Sequence, residues 1–318
     1  IIERAEGARA SWLEASAEQR AQVLTASLDK IAERFFDIAY ATMHTTGQSF
    51  VMSFQASGPH ANDRALEVIA MAYEELSRFA NDVAWVKPMG KFDLKLKKDY
   101  RAIGRGIGLC IGCSTFPTWN TVPGVYANLM AGNPTIVKPH SKSVLPIAIV
   151  VAEIQKALQE AGFSGDQIQL AVDSQKEPIT KLLAEHEAVQ LIDYTGGSSF
   201  GEYIEKLDNK TTFTEKAGVN SLIIDGVKDM QKVAGNIAFS TCLYSGQMCT
   251  APQNIFVPEQ GIKTAEGTLS YDEVVKHIAE AIKGLVENPK AGPYTLGAIQ
   301  NDRTATRVKE MAAKSQVA

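Results

Sequence analysis

The chain of 318 residues has 32 Lys and Arg against 36 Asp and Glu, a formal net charge of -4, with 45% hydrophobic and 21% charged residues: material for a substantial core and, by length, about two domains. The balance leaves no basic stripe for a phosphate backbone, so nucleic acid is excluded as the expected partner, while a small anionic cofactor held locally is compatible with it. No apolar run approaches the ~18 residues of a membrane span, Ile1 to Leu13 lack the order of a signal peptide, and four cysteines make no disulfide framework, so a cytoplasmic protein with reduced thiols and no membrane partner is expected.

The chain starts at Ile rather than Met, which suggests a trimmed start. Ser16 with Gln19 forms a capping box, and Val23, Leu24, Leu28, Ile31, Phe35 and Ile38 follow at helical spacing, predicting a helix that Gly47 ends. A second amphipathic helix is expected where Leu66, Ile69, Tyr73, Leu76 and Phe79 form one stripe. Between Lys87 and Arg101, Phe92, Leu94 and Leu96 alternate with Lys91, Lys95 and Lys97, as in a half-exposed strand or hairpin. This segment reads either as an arm that pairs with another subunit or as a plain surface ribbon.

From Ile103 short apolar runs alternate with helical segments, the βαβ signature of a mostly parallel sheet in an α/β fold. Strands are expected at 107–111, 135–137, 168–172 and 189–194, with a helix over 144–161 between Ser143 and Gly162 that tolerates Pro146 in its first turns. A second alternation begins at Asn220: a strand over 221–224, a turn at Asp225-Gly226, a helix from about Asp229, a strand over 254–257 and a helix over 271–286. The expected domain boundary lies near Ala217 to Val219, giving residues 1–217 and 218–318. No repeat or low-complexity tract is evident.

Cys249 lies in Ser245-Gly246-Gln247-Met248-Cys249-Thr250-Ala251-Pro252, whose Gly, Pro and small polar residues indicate an exposed turn beside a helix. A reactive thiolate needs that access together with a lowered pKa, from helix N-terminal amides or a nearby cation. Cys110 and Cys113 make a C-x-x-C, but Cys110 ends an apolar strand, residues three apart there face opposite sides, and no second pair or His cluster has ligand spacing. A metal site is therefore not expected. His44, His60, His140, His186 and His277 are scattered and read as surface or packing residues. The segment Tyr194-Thr195-Gly196-Gly197-Ser198-Ser199-Phe200-Gly201 follows a strand and opens a helix, so its amides either face a phosphate or its glycines allow a tight turn.

Five blocks taken in order resemble the aldehyde dehydrogenase superfamily over nearly all of the chain: Phe116-Pro117-Thr118-Trp119-Asn120, Val137-Lys138-Pro139, Tyr194-Thr195-Gly196, Thr214-Glu215-Lys216-Ala217-Gly218 and Gly246-Gln247-Met248-Cys249. The wording Glu215-Lys216-Ala217-Gly218-Val219-Asn220 and Tyr244-Ser245-Gly246-Gln247-Met248-Cys249 resembles the branch of aerobic phenylacetic acid degradation. The resemblance implies a Rossmann-type parallel-sheet cofactor domain followed by an incomplete α/β catalytic domain, because family members continue past residue 318.

The resemblance also implies roles. Cys249 matches the nucleophile that forms a thiohemiacetal, Asn120 and the Cys249 N–H match the oxyanion donors, and Glu215 matches the base for thioester hydrolysis, with free acid rather than acyl-coenzyme A as product. Lys138 matches the lysine at the adenosine ribose. Ser141 stands where NAD-preferring members often carry a glutamate, so NADP is tolerated beside NAD. Thr195, Gly196, Ser198 and Trp119 complete the expected cofactor contacts, with Trp119 equally credible as packing. Gly197 replaces a frequent serine, and Ala217-Gly218-Val219 departs from the usual residues after the base. The partners implied are a small-molecule aldehyde, aromatic or ring-derived, and a second copy of the chain in a dimer or tetramer. A catalytically inactive nucleotide-binding or structural member of the same fold is the rival reading, and a C-x-x-C redox or zinc protein a more distant one.

Overall fold

In a computed structural model that describes residues 1–314, a layer of five helices opens the chain. α1 (Ile2–Glu14) leads to α2 (Ala17–Ala32), whose capping box is closed in both directions: Ser16 Oγ accepts from Gln19 N at 3.1 Å, and Gln19 Oε1 accepts from Ser16 N at 2.9 Å. The expected single helix is broken after α2. Arg34 N–H donates to Ile31 O instead of continuing the ladder, and a separate helix, α3 (Phe35–Thr46), follows and packs on α4 (Phe50–Ser57). Gly47 ends α3 in the left-handed region (φ 69°), and a Cβ there would lie 2.6 Å from the side chain of Ala298.

α5 (Pro59–Ser77) corrects the stripe read from the sequence. It buries Ala61, Ala65 and Ile69, with Val68, Ala72 and Leu76 partly covered, whereas Leu66, Tyr73 and Phe79 are exposed. The small alanines permit close approach to the neighbouring helices, so packing favours them over larger side chains one position away. An antiparallel hairpin follows, β1 (Asp82–Pro88) with β2 (Asp93–Asp99), and almost all of it faces solvent.

The centre is a five-stranded parallel sheet. Its strands are β3 (Ile107–Ile111), β4 (Thr135–Lys138), β5 (Ile168–Leu170), β6 (Val189–Gly196) and β7 (Thr211–Lys216), in the order β5-β4-β3-β6-β7. Connecting helices are α6 (Pro117–Met130), α7 (Val144–Glu160), α8 (Thr180–Glu185) and α9 (Ser198–Glu205). Alternation along β3 sends Ile107, Leu109 and Ile111 into one core with α8 and α9, and Cys110 into the opposite core with α2, α5, α6 and α7. Helices on both faces therefore make a doubly wound α/β sandwich.

Beyond Lys216 the chain leaves this sheet. β8 (Asn220–Ile223) pairs in parallel with β9 (Pro252–Phe256) across α10 (Met230–Cys242), whose N-cap Asp229 accepts from Lys232 N. A short hairpin, β10 (Ile262–Thr264) and β11 (Gly267–Leu269), precedes α11 (Tyr271–Glu287), and Ile224, Met230, Ile237, Val274 and Ile278 form a separate core between these elements. α12 (Ala291–Thr295) and α13 (Asp302–Lys314) follow. Among the described residues no helix is long and apolar enough to cross a membrane.

The Ser16 cap satisfies a donor at the start of a helix that carries Val23, Leu24, Leu28 and Ile31 into the main core. Ser16→Ala is expected to lower stability by about 1 kcal/mol. An unchanged midpoint in urea unfolding would refute this.

Candidate active site

β3 connects through α6 to β4 on one side, while β6 connects to β7 on the other, so the chain departs in opposite directions from two adjacent strands. A crevice opens at the carboxyl ends of such a pair. Here it forms a cleft of about 870 Å³. Four strand ends supply wall: Gly112 and Cys113 follow β3, Lys138 ends β4, Thr195 and Gly196 end β6, and Glu215 and Lys216 end β7. The opposite wall is the segment Ser245 to Cys249.

That segment is strained. Tyr244 and Ser245 both adopt left-handed backbone (φ 53° and 54°), followed by Gly246 at φ 73°. Non-glycine residues held this way cost about 1–3 kcal/mol each. Surrounding bonds hold them in place: the buried Tyr244 hydroxyl donates to Thr46 O at 2.7 Å, Ser245 Oγ donates to Gly297 O at 2.7 Å, and Gln247 Nε2 donates to Ala298 O at 2.9 Å. Gln300 N donates back to Gln247 Oε1 at 2.8 Å. From the other side Asn220 Nδ2 donates to Cys249 O at 2.6 Å. The thiol of Cys249 is thereby set at the cleft wall, exposed.

Cys249 and Glu215 meet. Both line the cleft, and burial of the thiol's protein-facing side, then the neighbouring Glu215 carboxylate, push it up to about 11. This corrects the expected lowered pKa: an anion, not a cation, faces the sulfur. Asn120 lines the same cleft, and its Nδ2 donates to Cys113 Sγ at 3.2 Å. An amide NH₂ carries two protons, so one donor remains for a developing oxyanion. Cys113 was visible in the sequence only as half of a C-x-x-C. Its partner Cys110 is buried in the main core and accepts from Asn128 Nδ2 at 3.6 Å. Among the described residues no group of three or more His, Cys, Asp or Glu is placed to hold a metal ion.

Lys138 is not at the surface. Its Nζ lies 2.7 Å from Asp173 Oδ1, with the two side chains 6% and 5% exposed, and it also donates to Pro139 O at 2.8 Å. Ser141 and the half-buried His140 line the cleft beside it; burial and the Lys138 and Lys142 charges lower the His140 pKa. Two of the expected cofactor contacts are not brought into this wall. Ser198 begins α9 outside the lining, and Trp119 turns into a second cavity of about 270 Å³, where Arg64 lies 5.8 Å over its ring. Asn120, Thr195 and Glu215 border both spaces.

With its thiol raised, Cys249 is protonated below about pH 11, so its alkylation by iodoacetamide is expected to climb about tenfold per pH unit through pH 9. A plateau near pH 7, read by peptide mass spectrometry, would contradict this geometry.

The 1-pyrroline-5-carboxylate dehydrogenase of Oceanobacillus iheyensis is 24% identical over 316 residues, 94% of this chain and 55% of that protein. The NADP-dependent glyceraldehyde-3-phosphate dehydrogenase of Streptococcus equinus is 28% identical over 233 residues, 72% of this chain and 44% of that protein. The chain thus spans about half the length of these curated relatives. Among solved structures, a NAD-dependent aldehyde dehydrogenase from Burkholderia multivorans superposes with a TM-score of 0.94 at 45% identity, covering 98% of this chain and 56% of that one. The family model described as "Aldehyde dehydrogenase family" matches residues 1–317, and this chain belongs to that family.

Proposed function

We propose that this chain supplies the cofactor cleft and the nucleophile of an NAD(P)-dependent aldehyde dehydrogenase that oxidises an aldehyde to a carboxylic acid through a thioester on Cys249. One observation carries the reading: the Cys249 thiol, the Glu215 carboxylate and the Asn120 amide line one cleft, where the carboxylate raises the thiol. Family membership supports it. In this reading residues 1–217 form the cofactor-binding domain, residue 218 begins the catalytic domain, and the exposed hairpin within 82–99 serves as an arm between copies of the chain.

The donor set fits a dinucleotide. Lys138, Lys181, Lys216 and Arg307 line the cleft against two carboxylates, Asp173 and Glu215. A Cβ on Gly197 would meet nothing within 4 Å, leaving the backbone before α9 open to a phosphate. Lys138 has three ammonium protons and two protein acceptors, so one donor is left for a ribose. Thr195, Gly196 and Ser141 are the neighbouring contacts, and Ser198 acts through its position in the first turn of α9. When bound, the nicotinamide supplies a hydride acceptor.

The chain's own residues do the rest. Glu215 takes the thiol proton as Cys249 attacks the aldehyde carbon. The free Asn120 proton and the Cys249 N–H hold the oxyanion. After oxidation, Glu215 removes a proton from the water that opens the thioester. The resemblance of the Glu215-to-Asn220 wording to the phenylacetate branch supports a ring-derived aldehyde as substrate, and the free cysteines support the cytoplasm as location.

In the full-length protein, Cys249→Ala is expected to abolish aldehyde-dependent cofactor reduction, and Asn120→Ala to slow it by about 10²–10³. Turnover unchanged in either variant would sink the reading. Ser141 carries no charge to repel a 2′-phosphate, so Ser141→Glu is expected to weaken NADP selectively. Equal effects on both cofactors in steady-state kinetics would remove Ser141 from the ribose site.

A further inference from the structure

Asp193 is a charged residue inside β6 that the mechanism above leaves unused. Residues two apart in a strand share a face, so Asp193 and Thr195 project together, and the register sets them beside Phe213 and Glu215 of β7. All four border the 270 Å³ cavity, as does Asn120. α6 crosses Asp193 at Gly124, where an added Cβ would lie 2.6 Å from the carboxylate. A glycine inside a helix weakens it, and here it makes the room that the carboxylate occupies.

Among the described residues the Asp193 carboxylate has no hydrogen-bond and no ion-pair partner. An unpaired, largely enclosed carboxylate is costly, and such groups concentrate where chemistry needs them. The charged and titratable groups around it are few. From β7 it feels Glu215; from β3 it faces the buried Cys110 thiol, whose pKa burial and Asp193 raise. From α5, Arg64 reaches the cavity but lies over the Trp119 ring, with Glu67 at 3.8 Å. α6 contributes Trp119, Asn120, Pro123 and Gly124, none of them ionisable in the relevant range.

We propose that Asp193 is a positioning residue for Glu215: through the cavity they share, it accepts the proton that Glu215 has taken from the attacking water and passes it to solvent, returning Glu215 to its ionised form. This rests on Glu215 acting as the base of an aldehyde dehydrogenase. In the step, the O–H bond of water breaks as its oxygen bonds the thioester carbon. The proton moves to Glu215, then Asp193, then bulk water, while the carbon–sulfur bond breaks and its electron pair returns to Cys249.

The test uses the full-length protein, an aldehyde it oxidises, and Asp193→Asn, which keeps the shape and removes the charge. The first burst of cofactor reduction is expected to survive, while the rate after the burst falls about a hundredfold at unchanged KM. The acidic limb of the post-burst rate is expected to lose its inflection near 6, the value to which burial and then Glu215 raise Asp193. Thermal stability adds a readout that a structural role would move the other way. A raised carboxyl favours folding fully below its unfolded value and loses that contribution as pH rises through about 6, so the asparagine variant is expected to gain stability over wild type at pH 8 and lose the gain toward pH 5.

A wild-type post-burst rate and pH limb in Asp193→Asn would overturn the proposal. So would joint loss of burst and turnover with lower stability at pH 8. If the wild-type protein shows no burst with any aldehyde, it is the enzymatic reading that fails. The pairing is then read alone from carboxyl infrared titration: a lower Asp193 midpoint in Glu215→Gln supports it, and an unchanged midpoint rejects it.

Discussion

Parallel pairing of β3 with β4 on one side and β6 on the other obliges the chain to leave adjacent strands in opposite directions, and the cleft is the space that this reversal leaves. All five strands point their carboxyl ends the same way, so residues far apart in sequence reach one rim. Lys138, Thr195 and Glu215 come from three different strands and share no local motif. The two cores on either face of the sheet hold the rim rigid, because the inner strands β3 and β4 are buried by helices on both sides.

Against that rim stands a strained turn. Tyr244 and Ser245 keep left-handed backbone because their side chains are anchored to Thr46 and Gly297, so the cost is met by hydrogen bonds made far along the chain. The anchors tie the helical layer before the sheet to the segment 297–300, with the turn that leads to Cys249 clamped between them. The position of Cys249 is thus a consequence of contacts made by its neighbours, while its own thiol is left free to meet Glu215.

The electrostatics run against the simplest expectation for a reactive cysteine. No cation lowers the thiol; burial and the Glu215 carboxylate raise it, so in the proposed chemistry activation falls to proton transfer from Cys249 to Glu215. Lys138 is compensated by Asp173, so the deepest cation in the cleft is stabilised without a ligand. Asp193 is the exception, a largely enclosed carboxylate without a hydrogen-bond or ion-pair partner among the described residues, beside the proposed base Glu215.

The sequence by itself determined the elements whose signals are local. The Ser16 capping box, the helix between Ser143 and Gly162, the apolar strands of the central sheet and the Asp229 start of α10 were all legible, since each depends on residues within one or two turns. The ordered blocks around Asn120, Glu215 and Cys249 were legible as a resemblance. Tertiary structure decided the rest. Whether Leu66 or Ala65 faced the core depended on how closely α5 approaches its neighbours, and the break after α2 on where α3 had to pack. The Asn120 amide bonded to Cys113, the Asp173 partner of Lys138 and the notch at Gly124 all join residues from different elements, which no window of sequence contains. Asp193 did leave a trace, a lone charge inside an apolar strand, but only the parallel register with β7 set that charge beside Glu215.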